Sequence, residues 1–138
     1  SEMICDGVHL DPELVANIIE IVGRENCVFV SDAMAAAGVT DGEYVLGSQE
    51  VRVEAGVARL TRTGSLAGGT SHISDCVRVA VQDGGVDLVD AVFLGTLQGA
   101  RMFGWDDRGQ LGPGLKADLC ALSEDLRVQG VVRAGELV

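Results

Sequence analysis

An aspartate and a histidine are the residues of this chain best placed for chemistry, because each follows a short apolar run. Asp32 comes just after Cys27-Val28-Phe29-Val30, a run rich in Val and Phe that is typical of a buried strand. A carboxylate beyond the C-terminal end of a buried parallel strand lies where α/β barrels and open α/β sheets keep their chemistry. Aspartate is also favoured in caps and loops, so this segment alone leaves a purely structural role open.

His9 occupies an equivalent place after the predicted strand Met3-Ile4-Cys5, in the segment Asp6-Gly7-Val8-His9. A lone histidine in a loop is commonly a surface residue. If the two strands are parallel neighbours, however, His9 and Asp32 leave the sheet at the same edge and converge in space. That edge is the candidate site.

The sequence offers no recognisable metal site. A catalytic zinc usually takes three ligands from His, Glu, Asp or Cys, yet no H-x-H, H-E-x-x-H or C-x-x-C pattern is present. We therefore expect no metal ligands in this chain. The four cysteines are widely spaced among apolar residues, which predicts buried, reduced thiols in a cytoplasmic protein: Cys5, Cys27, Cys76 and Cys120.

The first thirty residues predict a β-loop-α-β unit that would position both candidates. Asp11-Pro12-Glu13 is typical of a helix start, and Gly23 would end the helix. Leu14, Val15 and Ile18 begin an apolar face at helical spacing. Parallel strands occur almost only in sheets of several strands buried on both sides, so two of them predict the C-terminal part of something larger.

The remaining chain changes character. Short strands of an antiparallel meander are predicted at 44–46, 51–53 and 57–60, followed by the Gly-rich stretch 64–70. That stretch would present backbone N–H groups to a ligand or simply connect two subdomains. Helices are predicted up to Gly84-Gly85 and from Asp87 to Gly104, with a break near Gly95 or Gly99, and strands at 119–122, 131–132 and 137–138.

Charge and hydropathy exclude several function classes. The net charge of −11 argues against nucleic acid and anionic membrane surfaces as partners. No run of 18 apolar residues and no signal peptide is visible, and we expect a cytoplasmic protein.

Four ordered motifs resemble the C-terminal portion of N-acetylglucosamine-6-phosphate deacetylases, in the amidohydrolase superfamily. They are Asp6–His9, Val30–Gly38, Asp41–Gly47 and Leu66–Gly68. In addition, Gly109–Leu119 resembles the closing motif of many amidohydrolases, where the chain re-enters a small β-domain. Together the motifs cover essentially the whole chain.

The resemblance implies an α/β fold: the last two βα units of a (β/α)₈ TIM barrel plus the C-terminal part of a small flanking β-sandwich. Residues 1–40 would supply the barrel strands and 41–63 a β-meander of the small β-domain. Residues 64–108 would form the substrate loop and linking helices, and 109–138 the final strands. The N-terminal half of the barrel would be missing.

The resemblance also implies roles for individual residues. Asp32 matches the catalytic aspartate, which in that family deprotonates a metal-bound water and then protonates the departing amine. Two segments match substrate-binding segments: Asp6, Gly7, Val8 and His9, with His9 toward the phosphate end, and Leu66, Ala67 and Gly68. The substrate would be an N-acetylated sugar phosphate, the cofactor a divalent metal (zinc is expected) held upstream, and the assembly a homodimer.

The sequence departs from the family pattern after Leu66–Gly68. Gly69 stands where the family usually has Ser, and Gly99 stands where a Pro is common. Two alternatives remain open at this point. One is another amidohydrolase acting on a different amide or cyclic amide, and the other is a non-catalytic oligomerisation or binding fragment. Without upstream metal ligands, we expect the chain alone to be inactive.

Overall fold

Four helices and eight strands in three separate sheets make up the chain, as described by a computed structural model of residues 1–138. A 3₁₀ turn covers Arg24–Asn26. In chain order the elements are β1 (Glu2–Met3), α1 (Pro12–Val22), β2 (Val28–Phe29), β3 (Gly42–Leu46), β4 (Gln49–Glu54), β5 (Val57–Leu60), α2 (Ile73–Gln82), α3 (Leu88–Gly95), α4 (Leu97–Met102), β6 (Leu119–Leu122), β7 (Val128–Arg133) and β8 (Glu136–Leu137).

The predicted β-loop-α-β unit is present at the start of the chain. Strands β1 and β2 pair in parallel, with Met3 opposite Phe29. Helix α1 begins after Asp11, whose side chain accepts hydrogen bonds from the backbone N–H groups of Glu13 and Leu14, at 2.9 and 3.3 Å. The loops after β1 and β2 therefore leave the same edge of the sheet.

The main hydrophobic core lies between this parallel pair and helices α1, α2 and α3. Helix α1 contributes Val15 and Ile19, and α3 contributes Ala91 and Leu94. The complete core comprises Met3, Cys5, Val15, Ile19, Cys27, Phe29, Cys76, Val77, Val79, Ala80, Val86, Ala91 and Leu94. Burial of these apolar side chains is the main force that holds the strands against the helices.

The antiparallel meander β3-β4-β5 carries a second, smaller core. Val51 and Val53 of β4 and Ala58 of β5 alternate with exposed polar residues, as a sheet with one buried face requires. They pack against Met34 and Ala67, together with Ala36. The second core therefore joins the meander to the segment after β2 and to the Gly-rich stretch.

The C-terminal sheet β6-β7-β8 buries none of its residues in this chain. Apolar side chains on it remain exposed, among them Leu119, Val128, Val131 and Leu137. A three-stranded sheet needs a covered hydrophobic face for stability of its own. Within this chain the sheet has no such covered face.

The structure corrects one detail of the sequence expectations, the burial of Cys120. Cys120 is exposed, because β6 has no covering layer, whereas Cys5, Cys27 and Cys76 are buried as expected. The expected break in the helical region from Asp87 to Gly104 is confirmed near Gly95: α3 ends at Gly95 and α4 begins at Leu97, while Gly99 lies inside α4.

The helices are short. The longest, α1, has 11 residues, which is far below the length needed to span a bilayer.

We predict that the buried thiols are unreactive in the folded chain. Burial raises the pKa of Cys5 to about 12, with smaller contributions from the charges of Cys76 and Asp6, and burial raises that of Cys76 to about 11. Iodoacetamide at neutral pH should therefore modify only Cys120 before denaturation, as read by peptide mass mapping. In Cys120→Ser, rapid modification of Cys5 under native conditions would contradict this packing.

We also predict that truncating Leu94 destabilises the fold while truncating Leu137 does not. Leu94 is completely buried and Leu137 is 79% exposed. Leu94→Ala should lower the free energy of unfolding by about 2–5 kcal/mol, since it leaves a cavity. Leu137→Ala should stay within about 0.5 kcal/mol of the parent. Urea unfolding followed by circular dichroism measures both, and equal losses would show that β8 is covered after all.

Candidate active site

Asp32 lies three residues beyond the end of β2 and is exposed to solvent. Its backbone adopts a φ of 46°, in the left-handed region that aspartate tolerates better than most residues. No group of the chain donates a hydrogen bond to its carboxylate. A non-glycine residue in this region is held by its surroundings, and such strain is found at functional sites.

The surroundings that hold Asp32 are the backbone of the Gly-rich stretch. The N–H of Gly69 donates to the carbonyl oxygen of Asp32 at 2.7 Å, and the N–H of Met34 donates to the carbonyl oxygen of Gly69 at 3.0 Å. The two segments of the chain approach so closely that a Cβ on Gly69 would overlap the carbonyl oxygen of Ser31. Only glycine permits this approach.

On its other side, the same stretch is bonded to the meander. The N–H of Ala67 donates to the carbonyl oxygen of Ala58 at 3.1 Å, and Leu66 forms an isolated bridge with Arg59. Leu66, Ala67 and Gly68 are therefore fixed between β5 and the Asp32 segment. The structure brings together the predicted catalytic aspartate and the second predicted substrate segment.

In the loop after β1, Asp6 and His9 form a tight pair. The Oδ1 atom of Asp6 accepts hydrogen bonds from the N–H groups of Val8 and His9, at 2.9 and 2.8 Å. Its Oδ2 atom lies 2.9 Å from Nδ1 of His9. Burial alone would raise the pKa of Asp6, but the hydrogen bonds from these two amides and from the imidazole outweigh it and lower the pKa.

Helix α2 supports both loops. A Cβ on Gly7 would meet Val79 of α2 at 4.0 Å, and Sγ of Cys76 lies 3.9 Å from the carbonyl oxygen of Val30. No hydrogen bond joins the Asp6–His9 loop to the Asp32 segment directly. The two halves of the candidate site are thus held in register through the helix beneath them.

His72 is a residue near the site to which the sequence reasoning assigned no role. It caps α2, its ring packs against Gly38, and its N–H donates to Oδ2 of Asp75 at 3.0 Å. The one available signal was that the chain contains just two histidines. Its placement after the Gly-rich stretch became visible only in the fold.

Nowhere does the chain gather three or more His, Cys, Asp or Glu side chains in a geometry suited to a metal ion. Asp6 and His9 hydrogen-bond to each other, and no hydrogen bond links either side chain to Asp32. The residues present therefore do not fit a metal centre. What they offer is an unpaired carboxylate that can transfer a proton, a part-buried Asp–His pair, and a hydrogen-bonded loop beside the carboxylate.

Several proteins of known activity are similar to this chain. An N-acetylgalactosamine-6-phosphate deacetylase from Escherichia coli is 39% identical over 137 residues, and the N-acetylglucosamine-6-phosphate deacetylase of Mus musculus is 34% identical over the same length. Each match covers 99% of this chain. An N-acetyl-D-glucosamine-6-phosphate deacetylase from Mycobacterium smegmatis, solved as an Asp-to-Ala mutant in complex with N-acetyl-D-glucosamine-6-phosphate, superposes with a TM-score of 0.88 at 41% identity.

The chain spans about a third of the length of these relatives. It covers 36% of the Escherichia coli deacetylase, 33% of the mouse enzyme and 36% of the Mycobacterium smegmatis chain. A shorter Escherichia coli relative, 39% identical, is covered over 81% of its length.

The relatives confirm the resemblance on which the sequence interpretation rests, and the superposition confirms an α/β fold shared with these deacetylases. The model of the Amidohydrolase family matches residues 1–138, the whole of the chain. The protein therefore belongs to the amidohydrolase family.

Proposed function

We propose that this chain is the C-terminal part of a deacetylase that acts on an N-acetylated hexosamine 6-phosphate, with N-acetylglucosamine 6-phosphate as the expected substrate. The reaction would release acetate and the free amino sugar phosphate. The observation that carries the proposal is the unpaired Asp32 carboxylate, fixed beside Leu66–Gly68 by the backbone of Gly69. The names of the relatives support the substrate class.

Asp32 is the group we assign to proton transfer. An exposed carboxylate without an internal partner accepts a proton from water while the water oxygen attacks the acetyl carbonyl carbon. When the C–N bond breaks, the same proton passes to the departing nitrogen, which leaves as an amine. The fixed backbone around Asp32 keeps this carboxylate at one distance from the bound amide.

Substrate would lie between the two loops. We assign Leu66, Ala67 and Gly68 to contacts with the amino sugar, and the loop from Asp6 to His9, including Gly7 and Val8, to its phosphate end. The relatives carry names for both substrates: the galactosamine deacetylase is 39% identical, and the glucosamine deacetylases are 34% and 41% identical. An acetate-release assay with both sugar phosphates therefore decides between these isomers.

A divalent metal, for which zinc is our expectation, would be bound by residues outside 1–138, because no cluster here fits one. We further propose that β1 and β2 are two strands of a larger parallel barrel, that the missing N-terminal half completes it, and that the enzyme is a homodimer. A cytoplasmic location stays a prediction. It follows that the isolated chain would be inactive.

One observation favours the non-catalytic alternative. Many large apolar side chains are exposed, including Ile21, Phe103, Leu111 and Leu137. Exposed apolar surface of this extent marks an interaction site. As a fragment that only associates, the chain would self-assemble without hydrolysing any amide.

We predict that the isolated chain runs as a 14.4 kDa species without stoichiometric metal, as measured by native mass spectrometry. The same preparation should not release acetate from either hexosamine derivative. The protein at its natural length should hydrolyse at least one of them. Deacetylation by the isolated chain would overturn the placement of the metal site, and discrete homo-oligomers without activity at natural length would favour the association fragment.

We predict that Asp32→Asn in the natural-length protein lowers kcat by about 10²–10⁴-fold, because the amide accepts no proton. The KM should change little, since the shape of the loop is preserved. Asp106→Asn is the matched control: Asp106 is also an exposed aspartate, and its side chain makes no hydrogen bond or ion pair within the chain. Equal activity of the two variants in an acetate-release assay would remove Asp32 from the mechanism.

A further inference from the structure

The pairing of Asp6 with His9 leaves the carboxylate no room for a ligand. The Asp6 side chain is 3% exposed and that of His9 is 17% exposed. Both carboxylate oxygens accept hydrogen bonds from protein donors, two from backbone amides and one from the imidazole. Asp6 can therefore act on a ligand only through His9.

The position of the imidazole proton follows from the partner of Nδ1. Asp6 has a lowered pKa and is ionised at neutral pH, so it has no proton to donate. The contact of 2.9 Å between Nδ1 and Oδ2 consequently requires the proton on Nδ1. In the neutral ring, Nε2 then carries a lone pair.

The other ring nitrogen is open. Nε2 of His9 makes no hydrogen bond within the chain, and no buried side-chain nitrogen or oxygen lacks a partner. Nε2 must therefore reach solvent. One nitrogen of the ring is held by the protein while the other faces outward.

We propose that Asp6 is a positioning residue that fixes the ring of His9 with its proton on Nδ1, so that Nε2 is the atom offered to substrate. The identity of that substrate as a sugar phosphate rests on the proposed function. The tautomer does not, because it follows from contacts within the chain. Nε2 would accept a hydrogen bond from a hydroxyl of the sugar phosphate and, when protonated, donate one to a phosphate oxygen.

His72 and Asp75 provide an internal comparison. They have the same spacing as the Asp6–His9 pair in the reverse order, but Nδ1 of His72 lies 3.6 Å from Oδ2 of Asp75, which is too long for a hydrogen bond. The His72 side chain is 62% exposed. The ring of His9 is therefore hydrogen-bonded to its partner carboxylate, and the ring of His72 is not hydrogen-bonded to Asp75 Oδ2.

The test is a long-range ¹H–¹⁵N correlation spectrum of the ¹⁵N-labelled full chain at pH about 8, where an ordinary histidine is neutral. With two histidines in the chain, His72→Asn assigns both rings. We expect the pattern of the Nδ1–H tautomer for His9 and an averaged pattern for His72. A His9 ring that is averaged, or protonated on Nε2, would overturn the proposal.

Two variants sharpen this test. Asp6→Asn keeps an oxygen for the two amides but turns an N–H₂ group toward Nδ1, so His9 should switch to the Nε2–H tautomer. Asp75→Asn should leave His9 unchanged. If Asp6→Asn does not fold, as judged by its amide spectrum, the tautomer of the parent chain still decides the question.

Kinetics at natural length separate this proposal from the proposed function. Asp6→Asn should raise the KM of the sugar phosphate about tenfold, the equivalent of one hydrogen bond, with a smaller effect on kcat. A switched tautomer with an unchanged KM would leave Asp6 as the residue that orients His9 but would remove His9 from the substrate site. An unswitched tautomer would overturn the positioning role whatever the activity.

Discussion

The close approach of Gly69 to Ser31 and Asp32 is the constraint on which the rest of the site depends. This contact joins two hydrophobic cores whose strands belong to separate sheets. One is the α/β core around β1 and β2, and the other is the meander core around β4 and β5. It also sets the backbone of Asp32. A side chain on Gly69 would push the two segments of the chain apart. Asp32 would then move away from the loop that begins at Leu66. The same contact therefore positions Asp32 and holds the two cores together.

Electrostatics set a second condition on any anionic ligand. The chain carries a charge of −11, and several of its cations are already paired nearby in sequence or space: Lys116 and Arg108 with Asp107, and Arg101 with Glu25. No lysine or arginine hydrogen-bonds to Asp6, His9 or Asp32. A phosphate at these residues would therefore meet an imidazole and backbone dipoles, without a lysine or arginine bonded to them.

Much of the fold was predictable because local chemistry decided it. Asp11-Pro12 and Gly23 bound α1 as expected, and alternation of buried and exposed residues found the meander. The exposure of Cys120 was not predictable, because it depends on whether another element packs on β6, which the local sequence does not show. The Asp6–His9 pair and the Gly69 contact were also invisible, since spacing places residues at an edge without showing which atoms meet. The motif order predicted a site in the loop after β1, and only the fold showed that the Asp6 side chain is turned inward and is 3% exposed.

The left-handed backbone of Asp32 has a consequence for protein engineering. Glycine adopts that conformation without strain, whereas a residue with a side chain held there costs of the order of 1 kcal/mol. A stability screen, or a design program that scores folding energy, would therefore favour glycine at this position. Selection for thermal stability alone would replace the carboxylate, because the glycine variant would be the more stable one. Libraries built on this scaffold need position 32 held constant, together with the glycine that faces it.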